Sequence, residues 1–171
     1  IDCSAFLGGI ATDFDSNLRI GSTDIAVVEA DEFDRSFLKL SPNWALISSI
    51  DADHLDIYGT AHHFQESFHL FSDNVKDGNI IVKEGIEIPS KYTYALDSDT
   101  SDFSAKNIRV EGGVYYFDLV YPKGVCENII SGLQGIHNVE NALAAFSMAY
   151  NQGLSINGIV NSIASFSGVK R

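Results

Sequence analysis

The sequence lacks the features of several common protein classes. It has no uninterrupted apolar run near the length of about 18 residues that a membrane span needs. No basic segment followed by an apolar stretch marks a signal peptide. Its two cysteines, Cys3 and Cys126, are too few for a disulfide framework. We therefore expect a cytoplasmic protein with two free thiols.

Positive charge is also scarce. Lys and Arg number 11 against 23 Asp and Glu, which gives a formal net charge of −12. Nucleic acids and anionic membranes are bound by cationic surfaces, so neither is an expected partner. A local phosphate site is compatible with this charge, because backbone amides and a metal ion can bind phosphate.

Apolar residues make up 45% of the chain and occur in runs of strand length. Residues 24–30 and 44–50 are nearly continuous apolar runs that end next to acidic residues. Such runs are typical of strands buried on both faces of a parallel sheet. Ligands bind beyond the carboxyl ends of these strands, so both acidic segments are expected at a binding edge.

The remaining segments complete an α/β pattern. Residues 60–76 have helical spacing of aromatic residues, and residues 79–83 return as a strand. Residues 86–131 are rich in strand-forming residues separated by turns, and they predict a small antiparallel subsheet. Two further helices follow Gly135. We predict a mostly parallel sheet flanked by helices, with residues 1–171 forming a single partial domain.

The first candidate site follows the first apolar run. Residues 29–34 read Glu-Ala-Asp-Glu-Phe-Asp. These carboxylates repel one another, and a hard cation such as Mg²⁺ relieves the repulsion by taking oxygen ligands. A solvated acidic loop is the alternative, and the spacing alone leaves both open.

The second candidate site follows the second apolar run. Residues 51–56 read Asp-Ala-Asp-His-Leu-Asp. A histidine at a strand end can ligate a metal while a carboxylate orients its other ring nitrogen. The alternative is a surface Asp–His pair that caps the next helix.

The third candidate site opens a helix. Residues 135–141 read Gly-Ile-His-Asn-Val-Glu-Asn. Asn138 and Asn141 project from adjacent positions, and two amides can donate to and accept from a purine edge. By spacing alone the alternative is favoured, in which Asn138 is the N-cap and Asn141 is exposed.

Together these motifs resemble the Mur ligases, the ATP-dependent amino-acid ligases of peptidoglycan synthesis. The matching stretches are residues 28–38, 50–58, 135–145 and 166–171. Their order is similar to that of the family's central ATP-binding domain, which has a P-loop NTPase-like fold. The acidic motif with its Ser36-Phe37-Leu38 continuation, and the lack of Lys in residues 60–75, most resemble the member that joins UDP-N-acetylmuramate to L-alanine.

The resemblance implies both a reaction and a metal site. ATP would phosphorylate the lactyl carboxylate of UDP-N-acetylmuramate, and the amine of L-alanine would attack the acyl phosphate. Glu29 resembles the family's Mg²⁺ ligand near the ATP phosphates. His54 resembles the ligand of a second Mg²⁺, and Asp53 is expected to support His54.

The resemblance also implies a nucleotide site. Asn138 and Asn141 match the adenine-contacting positions, and His137 borders them. Arg171 matches an arginine that reaches the nucleotide phosphates. A murein tripeptide recycling ligase and a non-catalytic nucleotide- or metal-binding module are the alternatives.

In the family, a phosphate loop precedes the matching region and a C-terminal domain follows it. The sequence contains no Gly-x-x-x-x-Gly-Lys-Ser/Thr loop. We therefore expect the 171-residue chain to be a fragment with little or no ligase activity by itself. Turnover of ATP with UDP-N-acetylmuramate and L-alanine by the purified chain, at a rate near that of a full-length ligase, would contradict this expectation.

Overall fold

Residues 1–52 and 54–170 are described by a computed structural model. The strands of this part of the chain are β1 (Ser4–Ala11), β2 (Ser16–Arg19), β3 (Ala26–Val28), β4 (Ala45–Ile47), β5 (Ile80–Lys83), β6 (Tyr92–Leu96), β7 (Phe103–Glu111), β8 (Val114–Tyr121), β9 (Gly124–Ile130) and β10 (Val169–Lys170). The α-helices are α1 (Leu55–Tyr58), α2 (Ala61–Asp73), α3 (Ile136–Asn151) and α4 (Ile156–Ser165). Two 3₁₀ helices span Phe33–Lys39 and Lys76–Gly78.

The main sheet has six strands in the order β4-β5-β6-β7-β8-β9. The strands β4 to β7 are parallel, and β7, β8 and β9 are antiparallel. The expected α/β fold with an attached antiparallel subsheet is therefore confirmed. One detail differs: β6, which we expected in the subsheet, pairs parallel with both of its neighbours.

A second, smaller sheet contains β1, β2, β3 and β10. The prediction that residues 24–30 form a strand buried on both faces is wrong. β3 pairs with β1 in this small sheet, and Val27 and Val28 remain 52% and 46% exposed. An apolar run shows that a strand is favourable, but it does not show which sheet the strand joins.

The helices pack on both faces of the main sheet. Side chains of a strand alternate between faces, and β5 is buried on both of them. Ile81 belongs to a core with Leu143 of α3, whereas Val82 belongs to a core with Phe71 of α2. This double burial explains why the sequence of β5 is apolar without alternation.

The helix over residues 61–73 follows the prediction with one exception. Thr60 caps α2 by accepting a hydrogen bond from the His63 amide. Phe64 and Phe71 are buried, but Phe68 is only half-buried. No helix in residues 1–52 and 54–170 combines the length and the apolarity needed to cross a membrane.

The core on the α2 face can be tested with two neighbouring residues. Phe71 is 5% exposed, and Leu70, next to it on α2, is 52% exposed. We expect Phe71→Ala to lower the free energy of unfolding by about 3–5 kcal/mol, because it leaves a cavity. Leu70→Ala should change it by less than about 1 kcal/mol. Urea unfolding measures both, and equal losses would contradict the burial described here.

Candidate functional site

Glu29 stands at the end of β3 and is fixed by the backbone of β1. Its amide donates to the Phe6 carbonyl at 2.8 Å, and its carboxylate accepts a hydrogen bond from the Gly8 amide at 2.7 Å. A Cβ atom on Gly8 would lie 2.8 Å from the carboxylate, so glycine is what permits this approach. Glu29 and Glu32 both line a hollow of about 610 Å³ beside β1.

The acidic loop after Glu29 is held on the main sheet by one aromatic ring. Phe37 is 2% exposed and packs against Phe68 and Phe71 of α2, with ring centroids 5.1 Å apart in each case. Asp34 and Arg35 both have φ of 55°, a conformation that costs energy for residues other than glycine. The buried ring fixes the loop in this unfavourable conformation.

His54 lies between β4 and α1 and reaches the acidic loop. Its φ of 52° places it in the left-handed region, as the N-cap of α1. Its Nε2 lies 3.8 Å from Oε1 of Glu32, and its ring meets the Phe33 ring edge to face at 5.2 Å. The two acidic segments therefore converge, although the strands that precede them, β3 and β4, lie in different sheets and not in the one parallel sheet that the sequence predicts.

Tyr58 connects the chain that follows His54 to the acidic loop. Its hydroxyl donates a 2.5 Å hydrogen bond to the Glu32 carbonyl, and its ring is 2% exposed. The ring packs against Phe64, and the Arg35 guanidinium lies 5.0 Å from its centroid. Burial raises the pKa of the Tyr58 hydroxyl.

This arrangement gives a donor set of carboxylate oxygens and an imidazole nitrogen. Within residues 1–52 and 54–170, no three His, Cys, Asp or Glu side chains gather to hold a metal ion. Mg²⁺ binds through one or two carboxylates together with water and substrate phosphates, rather than in an all-protein cage. The residues at this edge fit that mode. Asp53, expected to support His54, lies outside the described residues.

Asn138 and Asn141 line a second and larger hollow of about 940 Å³. Much of its wall is apolar and comes from α3, α4 and the segment before β10, including Ala142, Ile159 and Phe166. Asn138 also donates to the Gln134 carbonyl at 2.7 Å. Two amides in an apolar cavity can orient a flat heterocycle while the wall covers its faces.

The alternative is wrong in making Asn138 the N-cap of α3, but Asn141 is exposed, as that alternative expects. Gly135 occupies the N-cap position with φ of 102°, and Asn138 lies in the first turn of the helix. His137, expected beside the asparagines, is exposed and does not line the hollow. Arg171 lies outside the described residues.

Two side chains at this edge were missed as site residues from sequence. Glu32 contacts His54, and Tyr58 joins the two segments through the Glu32 carbonyl. Glu32 lies inside the motif at residues 29–34, and Tyr58 lies two residues beyond the motif at residues 51–56. Local spacing could not single them out, because each is selected by a contact across more than 20 positions in sequence.

Solved structures of known proteins share this fold. The UDP-N-acetylmuramate-alanine ligase from Thermotoga maritima is similar with a TM-score of 0.86 at 22% identity, over 99% of this chain and 40% of that one. The UDP-N-acetylmuramate:L-alanyl-gamma-D-glutamyl-meso-diaminopimelate ligase from Neisseria meningitides is similar with a TM-score of 0.80 at 21% identity, over 99% and 59%. At these identities the likeness concerns the fold.

Sequence comparison gives a more specific relationship. A UDP-N-acetylmuramate–L-alanine ligase from Christiangramia forsetii is 50% identical over 169 residues, which are 98% of this chain and 37% of that protein. This chain thus spans less than half the length of that relative. Residues 13–149 match the family described as the Mur ligase middle domain. The chain therefore belongs to the Mur ligase family.

Proposed function

We propose that the chain is the nucleotide-binding part of an ATP-dependent ligase that joins UDP-N-acetylmuramate to L-alanine. The observation that carries the proposal is the 50% identity to a relative named for that reaction, extending across the motifs. The convergence of His54 on the acidic loop supports the proposal. The reaction brings two anions together, and these side chains could bind the Mg²⁺ that neutralises their charge. The reaction belongs in the cytoplasm, where ATP is available.

The chemistry explains why carboxylates and an imidazole are needed. The lactyl carboxylate attacks the γ-phosphorus of ATP and ADP leaves, so negative charge accumulates between two anions. The amine of L-alanine then attacks the carbonyl carbon of the acyl phosphate, phosphate leaves, and an amide forms. Mg²⁺, when bound, supplies charge neutralisation and alignment of the phosphoryl group.

We assign roles to the residues on the two acidic segments. Glu29 would hold one Mg²⁺ and His54 a second, and Glu32 would keep the His54 ring directed towards the acidic loop. Tyr58 keeps both segments in contact through its bond to the Glu32 carbonyl. The lactyl carboxylate attacks as an anion, so phosphoryl transfer requires no proton transfer by these side chains. The amine of L-alanine loses a proton when the amide forms, and the departing phosphate can accept it.

The nucleotide base belongs in the hollow beside α3. Asn138 and Asn141 would hydrogen-bond the adenine edge, and the apolar wall would cover the ring. We retain two further residues in the proposed nucleotide site. His137 would lie at the border of the adenine site, and Arg171 would reach the nucleotide phosphates. The murein tripeptide ligase is less favoured, because relatives at 40–50% identity are named for L-alanine.

The metal role of His54 can be separated from a structural role. In the full-length ligase, His54→Ala should lower kcat by about 100-fold or more, because charge stabilisation during phosphoryl transfer is lost. The thermal midpoint should hardly change, since the side chain is one-third exposed at a loop. His69→Ala, at an exposed position of α2, is the control. A similar fall in both variants would overturn the assignment.

The adenine contacts can be tested on the same helix. Asn138→Ala and Asn141→Ala should each raise the Kd for ATP about tenfold, the loss of roughly one good hydrogen bond. Asn151→Ala is the control, because Asn151 ends α3 and donates to the Ser147 carbonyl instead. Titration calorimetry measures all three. An unchanged Kd in the first two variants would rule out this nucleotide site.

A further inference from the structure

An ion pair joins the main sheet to the helix that carries the two asparagines. Lys83 Nζ lies 3.0 Å from Oε1 and 3.1 Å from Oε2 of Glu140, so the ammonium contacts both carboxylate oxygens. The Glu140 side chain is 18% exposed and that of Lys83 is 41% exposed. The pair is therefore only partly shielded from water.

We propose that this ion pair is a positioning device, which sets the first turns of α3, and thereby Asn138 and Asn141, against the carboxyl edge of the main sheet. The proposal rests on the nucleotide site proposed above. Neither Lys83 nor Glu140 was among the candidate residues in the sequence.

The position of Lys83 in the main sheet shows which edge of the sheet the ion pair joins to α3. Lys83 is the last residue of β5, one position beyond the residue that pairs with the end of the neighbouring parallel strand β4. Ile47 is paired with Val82, so the chain that runs on towards His54 leaves the sheet beside Lys83. Through its ion pair with Lys83, Glu140 therefore connects α3 to the edge of the sheet that bears the proposed metal site.

The place of Glu140 on α3 complements this geometry. It lies between Asn138 and Asn141, and successive helix residues point about 100° apart. Glu140 can therefore face the sheet while the asparagines line the hollow. Its charge also reaches Tyr94, the strand neighbour of Lys83; burial, with the Glu140 charge adding to it, raises the pKa of Tyr94 to about 12.

The first turn of α3 is held on the main sheet by Val139, which is 0% exposed in the core, and the ion pair adds a second fixed point at the next residue. The N-cap of α3 is Gly135, which has no side chain to accept hydrogen bonds from the first amides. The Asn138 side chain donates to the carbonyl of Gln134, the residue before the N-cap, and this bond does not join the helix to the sheet. A partly exposed ion pair adds little to stability, so its value here is the orientation it imposes. Small displacements of positioning groups have large effects on binding and rate.

The test uses the full-length ligase and ATP binding by calorimetry. Lys83→Met and Glu140→Gln should each raise the Kd for ATP about tenfold, an effect transmitted through the helix. At saturating ATP, kcat should stay within about twofold, because neither side chain contacts the reacting atoms. The charge exchange Lys83→Glu with Glu140→Lys should restore the Kd to within about threefold of the parent.

The control is an ion pair of the antiparallel subsheet. Lys106→Met breaks the contact between Lys106 and Asp99 and should leave the Kd for ATP unchanged. An unchanged Kd in Lys83→Met and Glu140→Gln would overturn the proposal. So would a double exchange that binds no better than the single variants, or a fall in kcat without a change in Kd.

The asparagine variants separate this proposal from the proposed function. If Asn138→Ala and Asn141→Ala weaken ATP binding but the ion-pair variants do not, the nucleotide site stands and the positioning role is wrong. If the asparagine variants bind ATP normally, the nucleotide site itself is wrong. Thermal midpoints of all variants identify any that fail to fold, and Glu140→Gln is the mildest change available.

Discussion

The burial of Phe37 is the constraint on which the candidate metal site depends. The acidic loop begins on β3 in the small sheet, whereas His54 follows β4 in the main sheet, and within the described residues these sheets share no strand. Phe37 extends from the loop into the core between β4 and α2. Because the ring is buried there, the carboxylates of the loop are brought to the edge from which His54 projects.

That anchorage also accounts for the unfavourable backbone conformations at the edge. Asp34, Arg35 and His54 all have positive φ. Such conformations persist where surrounding contacts fix them more strongly than the local chain resists. Here the contacts are Phe37 in the core and the Tyr58 hydroxyl on the Glu32 carbonyl. The exposed loop is thereby held in one arrangement, as the proposed alignment of two anions would require.

Much of the fold is predictable from local patterns, and the exceptions have a common physical origin. The strands from β4 to β9 and the helices α2 to α4 have continuous apolar runs, clear helical periods or capping residues. The strands β1 and β2 were not predicted, because they lack a continuous apolar run. In β1, Gly8 and Gly9 interrupt the apolar residues. The exposure of β3 was also missed, because burial depends on which sheet a strand joins, and that is decided by distant pairing.

The candidate site shows the same difference between features that local patterns predict and features that distant contacts decide. Strand ends and helix spacing predict that the acidic segments gather at one edge, although β3 and β4 lie in different sheets. They place Asn138 and Asn141 at adjacent positions of a helix, but not in a common cavity. They do not predict that His54 meets Glu32, or that Lys83 meets Glu140 across 57 positions of sequence. Contacts of this kind are set by how the helices dock on the sheet. Motif spacing therefore identifies candidate ligand-binding groups, whereas the contacts that hold those groups in place become visible only in the fold.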